Sequence, residues 1–259
     1  MNRFPKTLLA GFLLLCFICL PASDLMRLRE RGVLRTALVE SNAPPFLHKD
    51  SNGQWSGIEY EILKEACRIL DIKLEIQESS YADVISLVKS GKVDVGCGLL
   101  SATPQRYVHV LFTNPYAKLH LALLVNRQAL LKMRGARTTV DYIRTYSGQL
   151  HTEYGASHYL TAGRMFPLAQ REIAKDMAEI EEKLVSGKLV AFLSDQIDIR
   201  ELMRRHPGAH VYYTRIIFTD TTDPIAMAVP PDSPHLCAFL NSVLEQQHPL
   251  IQKKIRESE

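Results

Sequence analysis

The sequence predicts an α/β fold of two lobes, each a small sheet flanked by helices. Two observations predict it. Across residues 33–100, strand-like and helix-like patterns alternate as β-α-β-α-β, an order that requires crossover helices and parallel strands. About 97 residues after LVKSGKVDV (87–95), a shorter phrase, LVSGKLV (184–190), repeats it. Both read as helix, Ser-Gly-Lys turn and buried strand, so a second unit of similar construction follows the first. A length of 259 residues accommodates two medium domains at roughly 100–200 residues each.

Each element has a local reason. Residues 33–39 (VLRTALV) form a strand after the turn at Gly32. Pro44-Pro45-Phe46 ends any ladder, because two successive amide donors are missing. The turn signal DSNG follows at 50–53. Apolar side chains at Ile58, Ile62, Leu63, Ala66, Cys67 and Leu70 recur at helical spacing. Residues 73–76 alternate as a strand does. A short helix over 82–88 closes at Ser90-Gly91, with Gly where a C-terminal cap prefers it. Residues 93–100 (VDVGCGLL) read as a buried strand. Residues 119–125 (LHLALLV) and 225–229 (IAMAV) read as strands that pass between the lobes. A helix over 234–247 starts behind Asp232 and Ser233 as caps and aligns Leu236, Leu240, Val243 and Leu244 on one face. The expected division is 24–118 with 223–259 for the first lobe and 119–222 for the second.

Composition removes several classes. Apolar residues make up 46% and charged residues 23%, a globular balance that excludes disorder, collagen and low complexity. Arg3 and Lys6 precede the uncharged run LLAGFLLLCFICL (8–20), and Pro21, Ala22 and Ser23 follow. This is the pattern of a secretory signal peptide over 1–23, which predicts export to the periplasm. The run is shorter than the roughly 20 residues that span a bilayer. Without this segment the net charge of +3 falls to about +1, and no Lys/Arg cluster stands out; nucleic acid is not an expected partner. Cys67, Cys97 and Cys237 remain, an odd number whose pairing stays open. His206 and His210 have the spacing of metal ligands, but Pro207 and Gly208 between them disfavour a helical pair. Neither a metal nor a cofactor is expected.

The most informative stretch is GLLSATPQR (98–106). A strand ends, Ser101 follows, and Thr103-Pro104 opens a helix with a good cap and a proline suited to its first position. Free amide donors then face the strand end and favour an anion. Arg106 lies in that first turn, where it is unfavourable to the helix itself but able to grip a carboxylate with both arms.

Six segments, ERGVLRTALVESNAPPF (30–46), NGQWSGIEYEILKEACRIL (52–70), SGKVDVGCGLLSATPQRYVHVLFTNPY (90–116), EYGASH (153–158), SGKLVAFLSDQ (186–196) and DPIAMAVPPDSP (223–234), together resemble the bacterial extracellular solute-binding proteins of family 3. These are polar amino-acid receptors of ABC importers. The resemblance implies a type II periplasmic-binding-protein fold, hinged by two segments, that closes on a free amino acid. It implies delivery to an ABC permease in the inner membrane, by a monomer. It assigns the ligand carboxylate to Arg106, a hydroxyl contact to Ser101 and a stacking ring to Tyr81. Glu40 is implied to meet the ligand side chain. In the second lobe, Gly155 and Ala156 lead to Ser157, and Asp195 holds the ligand ammonium. A zwitterion needs both a cationic and an anionic clamp, and Arg106 and Asp195 supply one from each lobe.

Three positions depart from the family pattern. Ala43 stands where an aromatic is common, Leu99 where a small polar residue is frequent, and Ala156 where a Thr is common. They imply a roomier, more apolar pocket and leave the ligand open, with Glu40 leaning it toward a cationic side chain. Binding rather than catalysis is the leading expectation. One alternative is a cyclohexadienyl dehydratase on the same fold, with Glu153 as general acid and Arg106 on the substrate carboxylate. The other is a receptor that signals through a separate partner without transport.

Overall fold

The structure, a computed structural model, describes residues 23–39 and 42–258. The predicted leader, apart from Ser23, and Glu40 with its expected contact to the ligand side chain lie outside the described residues.

The first sheet contains β1 (Val33–Val39), followed outside it by a two-strand hairpin of β2 (His48–Lys49) and β3 (Trp55–Ser56); the sheet resumes with β4 (Lys73–Ser79), β5 (Val95–Cys97) and β6 (Leu111–Phe112). The chain then builds a second sheet from β7 (Ala117–Asn126), β8 (Gln149–Glu153), β9 (Gln170–Ala174), β10 (Ala191–Asp195) and β11 (Tyr213–Ile225), and returns to the first with β12 (Ala228–Val229). The strand orders are β4-β1-β5-β12-β6 and β11-β7-β10-β8-β9. Strands β4, β1 and β5 are parallel, as the β-α-β-α-β reading requires, whereas β12 and β6 add antiparallel pairs. In the second sheet β10, β8 and β9 are parallel and β7 and β11 antiparallel. The chain is therefore α/β with two mixed five-stranded sheets, the architecture that the resemblance implies. In both sheets the carboxyl ends of the parallel strands reach the space between them, where ligands of open α/β sheets sit.

Three local differences from the sequence reading have physical causes. The strand expected over 93–100 stops at Cys97, because Gly98 (φ 115°) and Leu99 (φ 54°) turn the backbone into left-handed geometry. The run 225–229 divides between β11 and β12, with Ala226 and Met227 crossing buried between the sheets. The last helix, Pro234–Ser258, continues through Pro249. The bond that Pro249 forgoes falls at exposed Glu245, while Ile251 beyond it is buried in the first core. Cys67, Cys97 and Cys237 are free thiols.

The helix Ile58–Leu70 buries Ile58, Ile62, Leu63, Ala66, Cys67 and Leu70, the face its spacing defined. They join Leu34, Leu38, Phe46, Leu99 and the last helix's Leu236, Leu240 and Val243 in one core. Fully burying each Leu or Ile stabilises the fold by about 1.5–3 kcal/mol. Among the described residues no helix is long and apolar enough to cross a membrane.

Candidate functional site

The site begins where β5 ends. The left-handed turn at Gly98 and Leu99 frees two backbone N–H groups from the sheet, and buried Glu59 accepts both, from Gly98 at 3.1 Å and from Leu99 at 3.2 Å. The Tyr116 hydroxyl donates to the same carboxylate. Burial pushes the Glu59 carboxyl up, and these three donors oppose that shift. The turn delivers Ser101 to the face of the second sheet. Leu99 itself packs in the first core, away from the other candidate residues.

Thr103 caps the helix Pro104–Tyr107, as its sequence predicts, its Oγ1 accepting from the Arg106 amide at 3.4 Å. The Arg106 guanidinium folds back over the turn. Its Nη1 donates to the Ser101 carbonyl at 3.0 Å and its Nη2 to the Gly155 carbonyl at 3.1 Å. Arg106 thus reaches from one sheet's loops to the other's. Among the described residues no carboxylate lies within ion-pair distance of it. The Ser101 hydroxyl donates to Asp223 Oδ2 at 2.5 Å, so the 2.8 Å contact between Ser101 Oγ and Ser157 Oγ is donated by Ser157. Gly155 (φ 79°) presses on the Tyr81–Ala82 backbone, where a Cβ would lie 2.3 Å from the Ala82 nitrogen. Ala156 sits between Gly155 and Ser157, half-buried, its amide donating to the Glu153 carbonyl at 3.2 Å.

Asp195 ends β10 and begins the helix Gln196–Arg205, yet its side chain makes no capping bond. It is 2% exposed, and its Oδ1 has no hydrogen-bond partner. His158, the first residue of the helix His158–Met165, faces it: Nε2 stands 3.7 Å from Asp195 Oδ2 and 3.9 Å from Asp223 Oδ2. Burial alone pulls the imidazole down, but Asp195, Asp223 and Asp198 more than reverse it and raise it to about 9. The donor atoms of His158, Asp195 and Asp223 lie within 4.8 Å of one another, a set of imidazole and carboxylates able to hold a metal ion.

Beside this cluster lies a cavity of about 170 Å³ lined by Asn42, Tyr81, Glu153, Met177, Glu181, Asp198 and Arg205. Burial and the neighbouring Asp198 push Glu153 up to about 7, and burial and Asp195 push Asp198 up to about 6. Asp223 rises to about 6 for the same reasons as Asp198. Arg205 is paired with Glu181, so this cavity carries more acid than base.

Of the nine residues singled out in the sequence, Tyr81, Ser101, Arg106, Gly155, Ala156, Ser157 and Asp195 gather at this junction, Leu99 turns into the core and Glu40 is not described. His158, Asp198, Asp223 and Glu59 were not singled out. Their signal is faint: His158 follows Ser157 directly and Asp223 opens the DPIAMAV segment, but nothing in the sequence marks them as buried.

A model of the bacterial extracellular solute-binding proteins, family 3, matches residues 36–249. The chain belongs to this family. Similar proteins include a probable amino-acid ABC transporter-binding protein of Haemophilus influenzae, 24% identical over 82% of this chain and 79% of that one. A putative ABC transporter arginine-binding protein 2 of Escherichia coli is 22% identical over 80% and 82%. A membrane-bound lytic murein transglycosylase F of Pseudomonas putida matches 44% of this chain and 24% of its own length at 36% identity. Among solved structures, the ancestral amino acid-binding protein AncCDT-1, a precursor of cyclohexadienyl dehydratase, superposes with a TM-score of 0.72 at 23% identity, covering 90% of this chain and 99% of its own. The family is thus one of amino-acid binding components of ABC transporters, with some members that carry an enzyme.

Proposed function

We propose that this protein is a non-enzymatic periplasmic receptor that captures a small amino acid or related carboxylate by lobe closure and delivers it to an ABC permease. The observation that carries this reading is the combination of Arg106 and Asp195: a guanidinium with no ion pair among the described residues and a buried carboxylate with an unbonded oxygen, one from each sheet's loops. The moving bodies are 24–118 with 223–259, and 119–222, joined where β7 leaves and β11 returns. Arg106 takes the carboxylate, aided by Ser101 and Ser157 hydroxyls, and Tyr81 covers the side chain. Lobe contacts that depend on both sides give the ligand a differential affinity for the closed state, which is what drives closure. The acid-rich cavity and the relative named as arginine-binding favour a ligand with a cationic side chain.

Thermal melts against each amino acid test the reading. A ligand at about 100 times its Kd stabilises by about 2.7 kcal/mol. A shift with one amino acid, lost in Arg106→Ala and in Asp195→Ala, supports it; no shift with any of them removes an amino acid as the ligand. A second reading, dehydration of a prephenate-like acid, is favoured by one observation: Glu153, raised to about 7, is poised to give up a proton near neutral pH. Turnover of prephenate, lost in Glu153→Gln, would establish it.

A further inference from the structure

We propose that Arg200 and Ile197 fasten the helix Gln196–Arg205 of the second lobe to the first lobe, and that this fastening limits how far the cleft opens. Arg200 is thereby a positioning residue for Asp195. The proposal rests on the lobe-closure reading of the cleft and deepens it. Three placements carry it.

The helix that starts behind Asp195 has two loyalties. Ile199, Leu202 and Met203 pack in a core of the second sheet with Ala122, Leu124 and Phe192. Ile197, 5% exposed, belongs instead to the core of the first sheet, and it lines a cavity of about 410 Å³ with Phe46, Tyr116 and Leu119. Arg200 stands three residues beyond Ile197 and so on the same helix face.

Arg200 spends its guanidinium on the backbone of the first lobe. Its Nη1 donates to the Ser258 carbonyl at 2.6 Å and its Nη2 to the Pro44 carbonyl at 3.1 Å. Pro44 lies two residues after Asn42, which lines the acid-rich cavity. Ser258 ends the last helix, where carbonyls have no partner within the helix and a cation complements the dipole. The continuation of that helix through Pro249 makes this bond possible. A helix ending at residue 247 would stop about 16 Å short of the acceptor. Ile251 and Ile255 hold the extension on the first core.

These contacts do not wait for a ligand. None of Ile197, Arg200, Pro44 and Ser258 belongs to the group gathered around Arg106 and Asp195. If the second lobe swings away as one body, Arg200 leaves both carbonyls and Ile197 leaves the first core. Resistance to that motion keeps Asp195 opposite Arg106. It raises the fraction of the protein that is competent to bind, and the apparent Kd is inversely proportional to that fraction.

Small-angle scattering of the ligand-free protein tests this. Arg200→Ala removes both bonds, and a chain ending at Ile255 removes the Ser258 acceptor while keeping Arg200, Ile251 and Ile255. The wild type should be compact, and each variant should have a larger radius of gyration. Shortening the chain should add no expansion once Arg200→Ala is present, because the two changes break the same bond. A general loss of packing would give additive effects. Arg200→Lys, with a charge but no fork, should fall between wild type and alanine, and with the shortened chain it carries the comparison if Arg200→Ala does not fold. A wild type as expanded as Arg200→Ala overturns the proposal, as does a shortening that expands the wild type and Arg200→Ala equally. The amino acid that raises the melting temperature of the wild type should bind Arg200→Ala about tenfold more weakly, and equal affinity overturns the role in binding. If no amino acid raises it, the amino-acid receptor reading falls and the scattering comparison alone decides the fastening.

Discussion

The carboxylate of Glu59 accepts the backbone N–H of Leu99 at 3.2 Å, joining the first turn of one helix to the left-handed turn that ends β5. Glu59 is wholly buried and Leu99 nearly so. The bond explains how a leucine is held at a φ of 54°, a conformation that costs a non-glycine residue of order 1–3 kcal/mol. Ser101 lies two residues further on and Arg106 seven, so the placement of both depends on an acid some forty residues earlier in the chain.

Glu59→Ala leaves the Gly98 and Leu99 amides and the Tyr116 hydroxyl without their acceptor. We expect a loss of about 3 kcal/mol in urea unfolding, since each stranded buried donor costs about 1–3 kcal/mol. Glu59→Gln, which keeps an acceptor oxygen, loses less. Equal stability of Glu59→Ala and wild type would refute the role of this carboxylate in holding the turn.

Gly155→Ala places a methyl 2.3 Å from the Ala82 backbone nitrogen and strains a φ of 79°. Because the obstacle is backbone on the first sheet's side of the junction, the two sides must move apart. Ligand affinity should drop by about tenfold or more, and small-angle scattering should give a larger radius of gyration than that of the wild type. An unchanged radius would mean that the contact yields by local adjustment.

Arg106→Lys keeps the charge and loses the fork. The guanidinium now spans the Ser101 and Gly155 carbonyls at 3.0 and 3.1 Å, which an ammonium at the end of a flexible stem cannot do with the same geometry. Affinity for a carboxylate ligand should weaken by about tenfold or more, while the melting temperature moves little. Retained affinity in calorimetry would place the carboxylate elsewhere.

Stability should fall as pH rises from mildly acidic to about 9. His158 is raised to about 9 from an ordinary value near 6.5. Its ionised form stabilises the fold, an effect fully present below about 6.5 and lost as pH passes about 9. Glu153, Asp198 and Asp223, raised to about 7, 6 and 6, also bind protons more tightly folded than unfolded, so they act with the same sign over a lower range. Thermal melts in a buffer series check this. His158→Gln should flatten the upper part of the curve, and a melting temperature that climbs between about pH 7 and 9 would contradict the assignment.

Much of the fold could be read from local chemistry. The 3.6-residue spacing of Ile58, Ile62, Leu63, Ala66, Cys67 and Leu70 specified a helix and its buried face, and the structure buries all six. Thr103-Pro104 specified a helix start, and Thr103 caps it. The last helix was read too short, because a proline is a stop signal locally and Pro249 is overridden by the burial of Ile251. The end of β5 was misplaced for the converse reason: Leu99 looks like a strand residue until a distant carboxylate offers its amide a better partner.

By itself the sequence determined the alternation of elements, the repeated helix–turn–strand unit and the capped helix start that carries Arg106, because each is written in spacing or in residue type within a few positions. Only the tertiary structure decided which charges face one another. His158, Asp195 and Asp223 come from a helix start, a strand end and a returning strand, and Glu153 and Asp198 come together from two further positions. The interaction of such groups depends on separations of a few ångströms and on exclusion of water, and neither is recorded in the order of residues along the chain.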